Sequence, residues 1–184
     1  MKNRAVILDR DGTINIEKNY LYKIDEFEFT YRADEAIKIL NNSGFKTIVI
    51  TNQSGIARGF FNEIDVEKLH SYINKKLSEI GTKIDKFYYC PHHPNYGIDK
   101  YRKKCNCRKP NVELYQKAID EFNIDVDRSY VIGDKISDLI PGNRLGFKCI
   151  LVMTGYGAKE SYKVEFSYKR KKNLWNAVNS IINH

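Results

Sequence analysis

No apolar run in this chain of 184 residues is long enough to cross a membrane as a helix, which takes about 20 residues. The basic opening Met1-Lys2-Asn3-Arg4 leads straight into an apolar strand and carries no cleavable signal pattern. These two absences predict a soluble, cytoplasmic protein with no membrane partner. Internal repeats, low-complexity tracts and linkers are missing too, so residues 1–184 read as a single domain, long enough to bury a core. Nothing in it demands an interface, and a monomer is expected. Cysteine is scarce, with four in the chain, and three of them crowd into Cys90 to Cys107. That clustering points to a metal, not to a disulfide framework.

What is present argues for a packed protein. Hydrophobic residues make up 42% and aromatics 12%, too much for a disordered chain. The formal charge of +8 leaves two classes of partner, a nucleic acid or an anionic small molecule. Lysine dominates that charge and is spread along the chain. The one dense run, Lys169-Arg170-Lys171-Lys172, is expected to be the solvated start of the last helix. We therefore expect no nucleic-acid partner.

Strand and helix patterns alternate. Strands are expected at Ala5–Leu8, Phe45–Ile50, Lys86–Tyr89, Tyr130–Asp134 and Lys148–Val152, each rich in β-branched or aromatic residues. Helices are expected at 33–42, 64–80, 112–122 and 136–145, and around Leu174, Trp175, Val178 and Ile181. Pro141 must then lie in a first turn or kink its helix. Asn15 to Ile24 reads as a loop or short hairpin, and Glu26-Phe27-Glu28-Phe29 as a short strand. This alternation predicts an α/β fold: a parallel sheet with helices on both faces.

The polar clusters fall at strand ends, where open α/β sheets place their ligands. The first strand runs into Asp9-Arg10-Asp11-Gly12-Thr13. Side chains two apart on extended backbone point the same way, so Asp9 and Asp11 face one site. Two carboxylates so close repel unless a cation or a proton is shared. The second strand ends in Thr51-Asn52-Gln53-Ser54-Gly55, and the fourth in Gly133-Asp134, with Asp138 four residues on. Asp138 suits either a lysine partner or a metal-bound water. Together with Lys109, these residues form a phosphoryl-transfer site. Asp9 is the expected nucleophile, Asp11 the acid and then base, and Thr51 and Lys109 the phosphate ligands. Mg²⁺ is assigned to Asp9 and Asp134 with a main-chain carbonyl, Asp11 being part of the same metal site.

Cys90-x-His92 and Cys105-x-Cys107 are separated by twelve residues. Three thiolates and an imidazole make a tetrahedral Zn²⁺ set with no position left for water, hence a structural zinc. His93 competes with His92 as the nitrogen ligand. Residues 90–110 then form a zinc-held loop inserted in the domain, ending in Arg108 and Lys109. Cys149 lies in an apolar strand and reads as core.

Asp9-Arg10-Asp11-Gly12-Thr13, Thr51-Asn52-Gln53, Lys109 and Gly133-Asp134 with Asp138 resemble, in order, the four motifs of the haloacid dehalogenase superfamily. The Cys-x-His…Cys-x-Cys-Arg-Lys-Pro loop resembles a subgroup, the D-glycero-D-manno-heptose 1,7-bisphosphate 7-phosphatases and the histidinol-phosphate phosphatases. Thr51 through Gly59, read with Asp11-Gly12-Thr13-Ile14-Asn15, looks like the heptose enzymes. The resemblance implies a Rossmann-like core without a large cap, a sugar bisphosphate substrate, and Mg²⁺ and Zn²⁺ as cofactors. By the same resemblance, substrate contacts fall on Glu17, Lys18, Asn19, Tyr20, Thr51, Asn52, Gln53, Ser54, Arg108, Lys109 and Lys135. Histidinol-phosphate hydrolysis is the alternative activity. Tyr31-Arg32 departs from the small Asp-Gly turn usual before the first helix, and Pro141 with Asn143-Arg144-Leu145 departs from an alanine-rich helix.

Overall fold

Successive residues of the apolar strands face opposite ways, and this splits the interior into two cores on either side of one sheet. The computed structural model describes residues 2–97, 100–160 and 164–183. Met1 of the basic opening and residues 98 and 99 of the 90–110 loop lie outside them. In order along the chain come β1 (Ala5–Leu8), α1 (Ala33–Asn42), β2 (Lys46–Asn52), α2 (Glu63–Ser78) and β3 (Lys86–Cys90). There follow α3 (Glu113–Phe122), a short 3₁₀ turn at Val126–Arg128, β4 (Tyr130–Gly133), α4 (Ile136–Leu145), β5 (Lys148–Val152), β6 (Lys169–Lys171) and α5 (Leu174–Ile182).

Val6 and Leu8 of β1, Val49 of β2 and Ile150 and Val152 of β5 enter one core, covered by Ile37, Leu40, Leu69, Ile73 and Val178 from α1, α2 and α5. Ala5, Ile7, Ile48, Ile50 and Leu151 enter the other, covered by Leu114, Tyr115, Ala118 and Leu139 from α3 and α4. Six parallel strands lie in the order β3-β2-β1-β4-β5-β6. The chain winds outward from β1 in one direction and from β4 in the other. The crevice above the C-terminal ends of these two strands is the switch point where such sheets bind ligands.

Local chemistry fixes several boundaries. A reciprocal capping box starts α2: Asp65 N–H donates to Asn62 Oδ1 at 3.1 Å, and Asn62 N–H to Asp65 Oδ2 at 3.0 Å. Asn173 caps α5 by accepting from Asn176 N–H. Arg32, before α1, stands at φ 52, a conformation that favours glycine and matches the Asp-Gly turn it replaces. Its guanidinium lies 3.6 Å over the Trp175 ring and pairs with Glu35, contacts that offset the backbone cost.

Two expectations are corrected, and one choice between alternatives is narrowed. Lys169–Lys171 does not open the last helix; it is β6, paired in parallel with Ile150–Val152. Its charged side chains suit an edge strand, where lysine discourages pairing with another chain. Glu26–Phe29 is not a strand; Phe29 only bridges Asn15, and Phe27 and Phe29 are turned onto the core. Pro141 sits inside α4 beyond its first turn, with the neighbouring Gly142 packed so closely on Val131 that a Cβ would meet it at 2.5 Å. The loops after β1 and β2 contain no separate cap domain among the described residues.

Candidate active site

Asp9 follows β1 directly and keeps the sheet's pairing, its N–H donating to the Ile132 carbonyl at 3.0 Å. Its Oδ1 accepts from Lys109 Nζ at 2.7 Å. The same ammonium lies 2.8 Å from Asp138 Oδ1 and donates to the Ile50 carbonyl at 2.8 Å. All three side chains are almost fully buried. Lys109 is aimed by its backbone: Asn52 Oδ1 accepts its N–H at 3.1 Å, and Asn52 Nδ2 donates to its carbonyl at 3.2 Å. The end of β2 thus clamps the start of the segment leading to α3.

Asp134 ends β4 and is wholly buried. Its Oδ2 accepts from Tyr156 N–H at 2.8 Å, while its Oδ1 has no hydrogen-bond partner. Gly12, at φ +83, and Gly155 press against this carboxylate; a Cβ on either would lie 2.3 or 2.2 Å from Oδ2. Ligand atoms of Asp9, Asp134 and Asp138 all lie within 4.8 Å of one another. Asp138 is already engaged, by Lys109 and by the Lys135 N–H at 3.0 Å. That leaves Asp134 and Asp9 as the carboxylates open to a cation.

Three carboxylates against one ammonium leave excess negative charge. Burial pushes the Asp134 carboxyl up to about 8, with Asp9 and Asp138 adding to the rise. Burial likewise pushes Asp9 up to about 6, opposed by Lys109 and reinforced by Asp138 and Asp11. Burial by itself would lower the Lys109 ammonium, but Asp138 and Asp9 outweigh it and hold the ammonium above its ordinary value. A divalent cation would relieve this charge, and the unpartnered Asp134 oxygen is a fitting ligand for one.

Asp11 is placed differently. Its carboxylate accepts from Arg10 Nη2 at 2.9 Å on both oxygens, from Asn15 Nδ2 at 3.0 Å and from Gln53 Nε2 at 3.0 Å. Burial raises this carboxyl, but Arg10 and the hydrogen bonds more than offset it, and the net displacement is downward. Asp11 is not among the grouped carboxylates of Asp9, Asp134 and Asp138.

A cavity of 370 Å³ opens above these groups. Asp9, Asp11, Glu17, Asn19, Tyr20, Thr51, Asn52, Gln53, Ser54, Arg108, Lys109, Lys135 and Asp138 line it, joined by Ser137 and Tyr156. Lys18 is not on this wall; its Nζ donates to the Glu26 carbonyl at 2.7 Å. Asn19 and Tyr20, at φ 52 and 66, form a strained lip, and Tyr156 O–H donates to Asn19 Oδ1 at 3.2 Å across the mouth. The Lys135 ammonium rests 4.3 Å over the Tyr156 ring. Sequence reasoning passed over Tyr156, Ser137, Arg10 and His70. Tyr156 carries the signal used elsewhere, a polar cluster just past a buried strand. Arg10 and His70 carry none.

Ligand atoms of Cys90, His92, Cys105 and Cys107 also lie within 4.8 Å of one another. Cys107 Sγ is 3.1 Å from Cys90 Sγ and 3.3 Å from Cys105 Sγ, and His92 Nδ1 is 3.3 Å from Cys107 Sγ. His93 is turned away, its Nδ1 accepting from the Asn95 and Tyr96 N–H groups. Burial pushes the Cys107 thiol up to about 11, so a metal must displace protons to bind there. The donor set fits Zn²⁺. Arg108 leaves this cluster toward the cavity, its Nη1 donating to the His92 carbonyl at 3.1 Å.

A family model described as HAD-hydrolase-like matches residues 106–172. The chain is 44% identical over 157 residues to D-glycero-beta-D-manno-heptose-1,7-bisphosphate 7-phosphatase of Haemophilus ducreyi, covering 84% of this chain and 86% of that one. It is 39% identical over 160 residues to the D-glycero-alpha-D-manno-heptose-1,7-bisphosphate 7-phosphatase of Photorhabdus laumondii, covering 86% and 87%. Its structure is similar to the crystal structure of D,D-heptose 1,7-bisphosphate phosphatase from B. bronchiseptica complexed with magnesium and phosphate, with a TM-score of 0.89, 27% identity and 98% of each chain covered. Identity at this level over most of both chains, on a shared fold, makes this chain a member of the heptose-1,7-bisphosphate 7-phosphatase family of HAD-like hydrolases.

Proposed function

We propose that the chain hydrolyses the 7-phosphate of D-glycero-D-manno-heptose 1,7-bisphosphate, with Mg²⁺ at the acidic cluster and a structural Zn²⁺ in the Cys/His loop. One observation carries the catalytic reading: Asp9, salt-bridged to the buried Lys109, stands beside the buried, unpartnered oxygen of Asp134 at the floor of a polar cavity. The names of the relatives supply the substrate.

Asp9 is held by Lys109 with its carboxylate facing the cavity, the position of a nucleophile toward phosphorus. Lys109 and Thr51 bind the transferring phosphoryl oxygens. Asp11 starts the cycle protonated, against the downward pull of Arg10; it gives that proton to the leaving sugar oxygen as the P–O bond breaks and regains one from the water that cleaves the aspartyl-phosphate. Asp9 and Asp134 would hold Mg²⁺, whose charge would offset that of the phosphoryl group. Asp138 keeps Lys109 charged and in line. Arg108 and Lys135 add two cations to the cavity wall, suited to a substrate with a second phosphate. The cavity size is that of a small-molecule site, as a sugar bisphosphate requires. No helix among the described residues is long and apolar enough to cross a membrane, in keeping with a cytoplasmic enzyme.

The test is phosphate release with Mg²⁺ from the α- and β-heptose 1,7-bisphosphates, histidinol phosphate and p-nitrophenyl phosphate, side by side. One heptose anomer should exceed histidinol phosphate in kcat/KM by orders of magnitude, and Asp9→Asn should abolish turnover in a folded protein. A preference for histidinol phosphate would overturn the substrate, and turnover by Asp9→Asn the mechanism.

A further inference from the structure

Between the two aspartates, Arg10 points away from the cavity and is completely buried. A guanidinium only donates. Nε and Nη2 donate to Asp11, and Nη2 also to the Leu21 carbonyl at 2.8 Å. Nη1 lies 3.4 Å from His70 Nε2, which must therefore be the acceptor, with the ring proton on Nδ1. His70, on α2, is itself buried and stacks on Phe87 of β3, ring centroids 4.3 Å apart at 14°. Phe87, His70 and Arg10 are planar groups held in series by packing, and the last of them grips both oxygens of Asp11.

Asp11 needs such a grip. It sits on the loop after β1, and its carboxyl must address the leaving oxygen and then the attacking water from one position. Misplacing a catalytic group by an ångström costs about a hundredfold in rate. Asn15 and Gln53 donate to Asp11 as well, Asn15 from the same loop and Gln53 from the cavity wall at the end of β2. The Arg10 arm leaves the loop and runs into the core, to His70 on α2 and through it to Phe87 on β3. We infer that Arg10 and His70 are positioning residues for the acid–base Asp11, an inference that rests on the phosphatase reading above.

The competing view is that Arg10 merely ties the loop after β1 to α2. The leaving group separates the two. An alcohol must take a proton as it departs from phosphorus, whereas p-nitrophenolate leaves without one. The ratio of kcat/KM for the preferred heptose bisphosphate to that for p-nitrophenyl phosphate therefore reports on the acid. A general loss of structure lowers both values and leaves their ratio in place.

We would measure this ratio for Asp11→Asn, Arg10→Met, His70→Phe and His70→Gln. Asp11→Asn should lower it about a hundredfold. Arg10→Met should lower it at least tenfold. His70→Phe keeps the stack on Phe87 but removes the acceptor, and should lower the ratio severalfold; His70→Gln, whose amide oxygen can accept, should restore it to within twofold. If Arg10→Met fails to fold, the two His70 variants decide. A ratio that falls for Asp11→Asn but stays within twofold of the parent in Arg10→Met and His70→Phe overturns the inference alone. A ratio unmoved by Asp11→Asn overturns the acid–base reading and the inference with it.

Discussion

Replacing Lys109 with methionine removes the ammonium that, alone among the described residues, pairs with Asp9 and Asp138, and leaves their carboxylates facing each other and Asp134. The side chains of Lys109, Asp9 and Asp138 are 2%, 6% and 2% exposed, so water cannot take over the missing charge. Breaking a buried pair from one side costs about 3–5 kcal/mol. In a domain of this size each kcal/mol moves Tm by about 2–4 °C, so the melting temperature should fall by about 6–20 °C at neutral pH. The loss comes from uncompensated carboxylates and not from a missing contact. Adding Asp138→Asn to Lys109→Met should therefore recover more than half of it while leaving the enzyme inactive, since the phosphate ligand is still gone. Urea denaturation and thermal melting, both without added metal, would measure the two variants against the parent. A single variant within about 1 kcal/mol of the parent, or a double variant no better than the single, would refute the charge argument.

His70 offers a pH test. Burial, aided by the Arg10 charge, holds its imidazole down at about 3, against 6.5 for the free side chain. A histidine depressed in the folded state contributes stability above its unfolded pKa and loses it as pH falls. The parent should thus lose about 2 kcal/mol between pH 8 and pH 5 that His70→Gln does not lose; parallel denaturation curves for the two proteins would exclude a buried neutral imidazole. The metal loop offers a third test. Cys105→Ser should drop the zinc content below one per chain, lower Tm, and raise KM through loss of Arg108 placement. Elemental analysis showing one zinc per chain, with melting unchanged, would mean that the ligand set is wrong.

Much of the site could be read along the chain because its residues terminate apolar strands. Asp9, Thr51 and Asp134 each follow a run of buried residues, and parallel strands bring their C-terminal ends to one edge of the sheet. The ligands of the Cys/His cluster were legible for a similar reason, since paired donors across a short polar excursion leave few other uses for three thiols. The choice between His92 and His93 was not legible, because it depends on which way a loop turns back after β3. Lys18 is adjacent to cavity residues in sequence, while its side chain reaches the Glu26 carbonyl, a direction that no local pattern gives.

The remaining features depend on partners distant in sequence. Arg10 meets His70 sixty residues away, and Lys109 meets Asp9 a hundred residues away. Nothing local marks Arg10 as a buried cation, since an arginine between two aspartates reads equally well as a solvated neighbour. Lys169–Lys171 reads as a surface run by composition, yet its main chain completes the sheet against Ile150–Val152. Sequence by itself determined β1 to β5, the helices that cover them, and the chemical groups at the strand ends, because hydrophobic period and side-chain chemistry are local properties. Tertiary structure alone decided how those groups share charge: Asp138 on Lys109, Asp134 with an oxygen left over, and Asp11 held from behind by Arg10. Burial and Coulomb interaction act through space, between atoms that only the folded chain brings together.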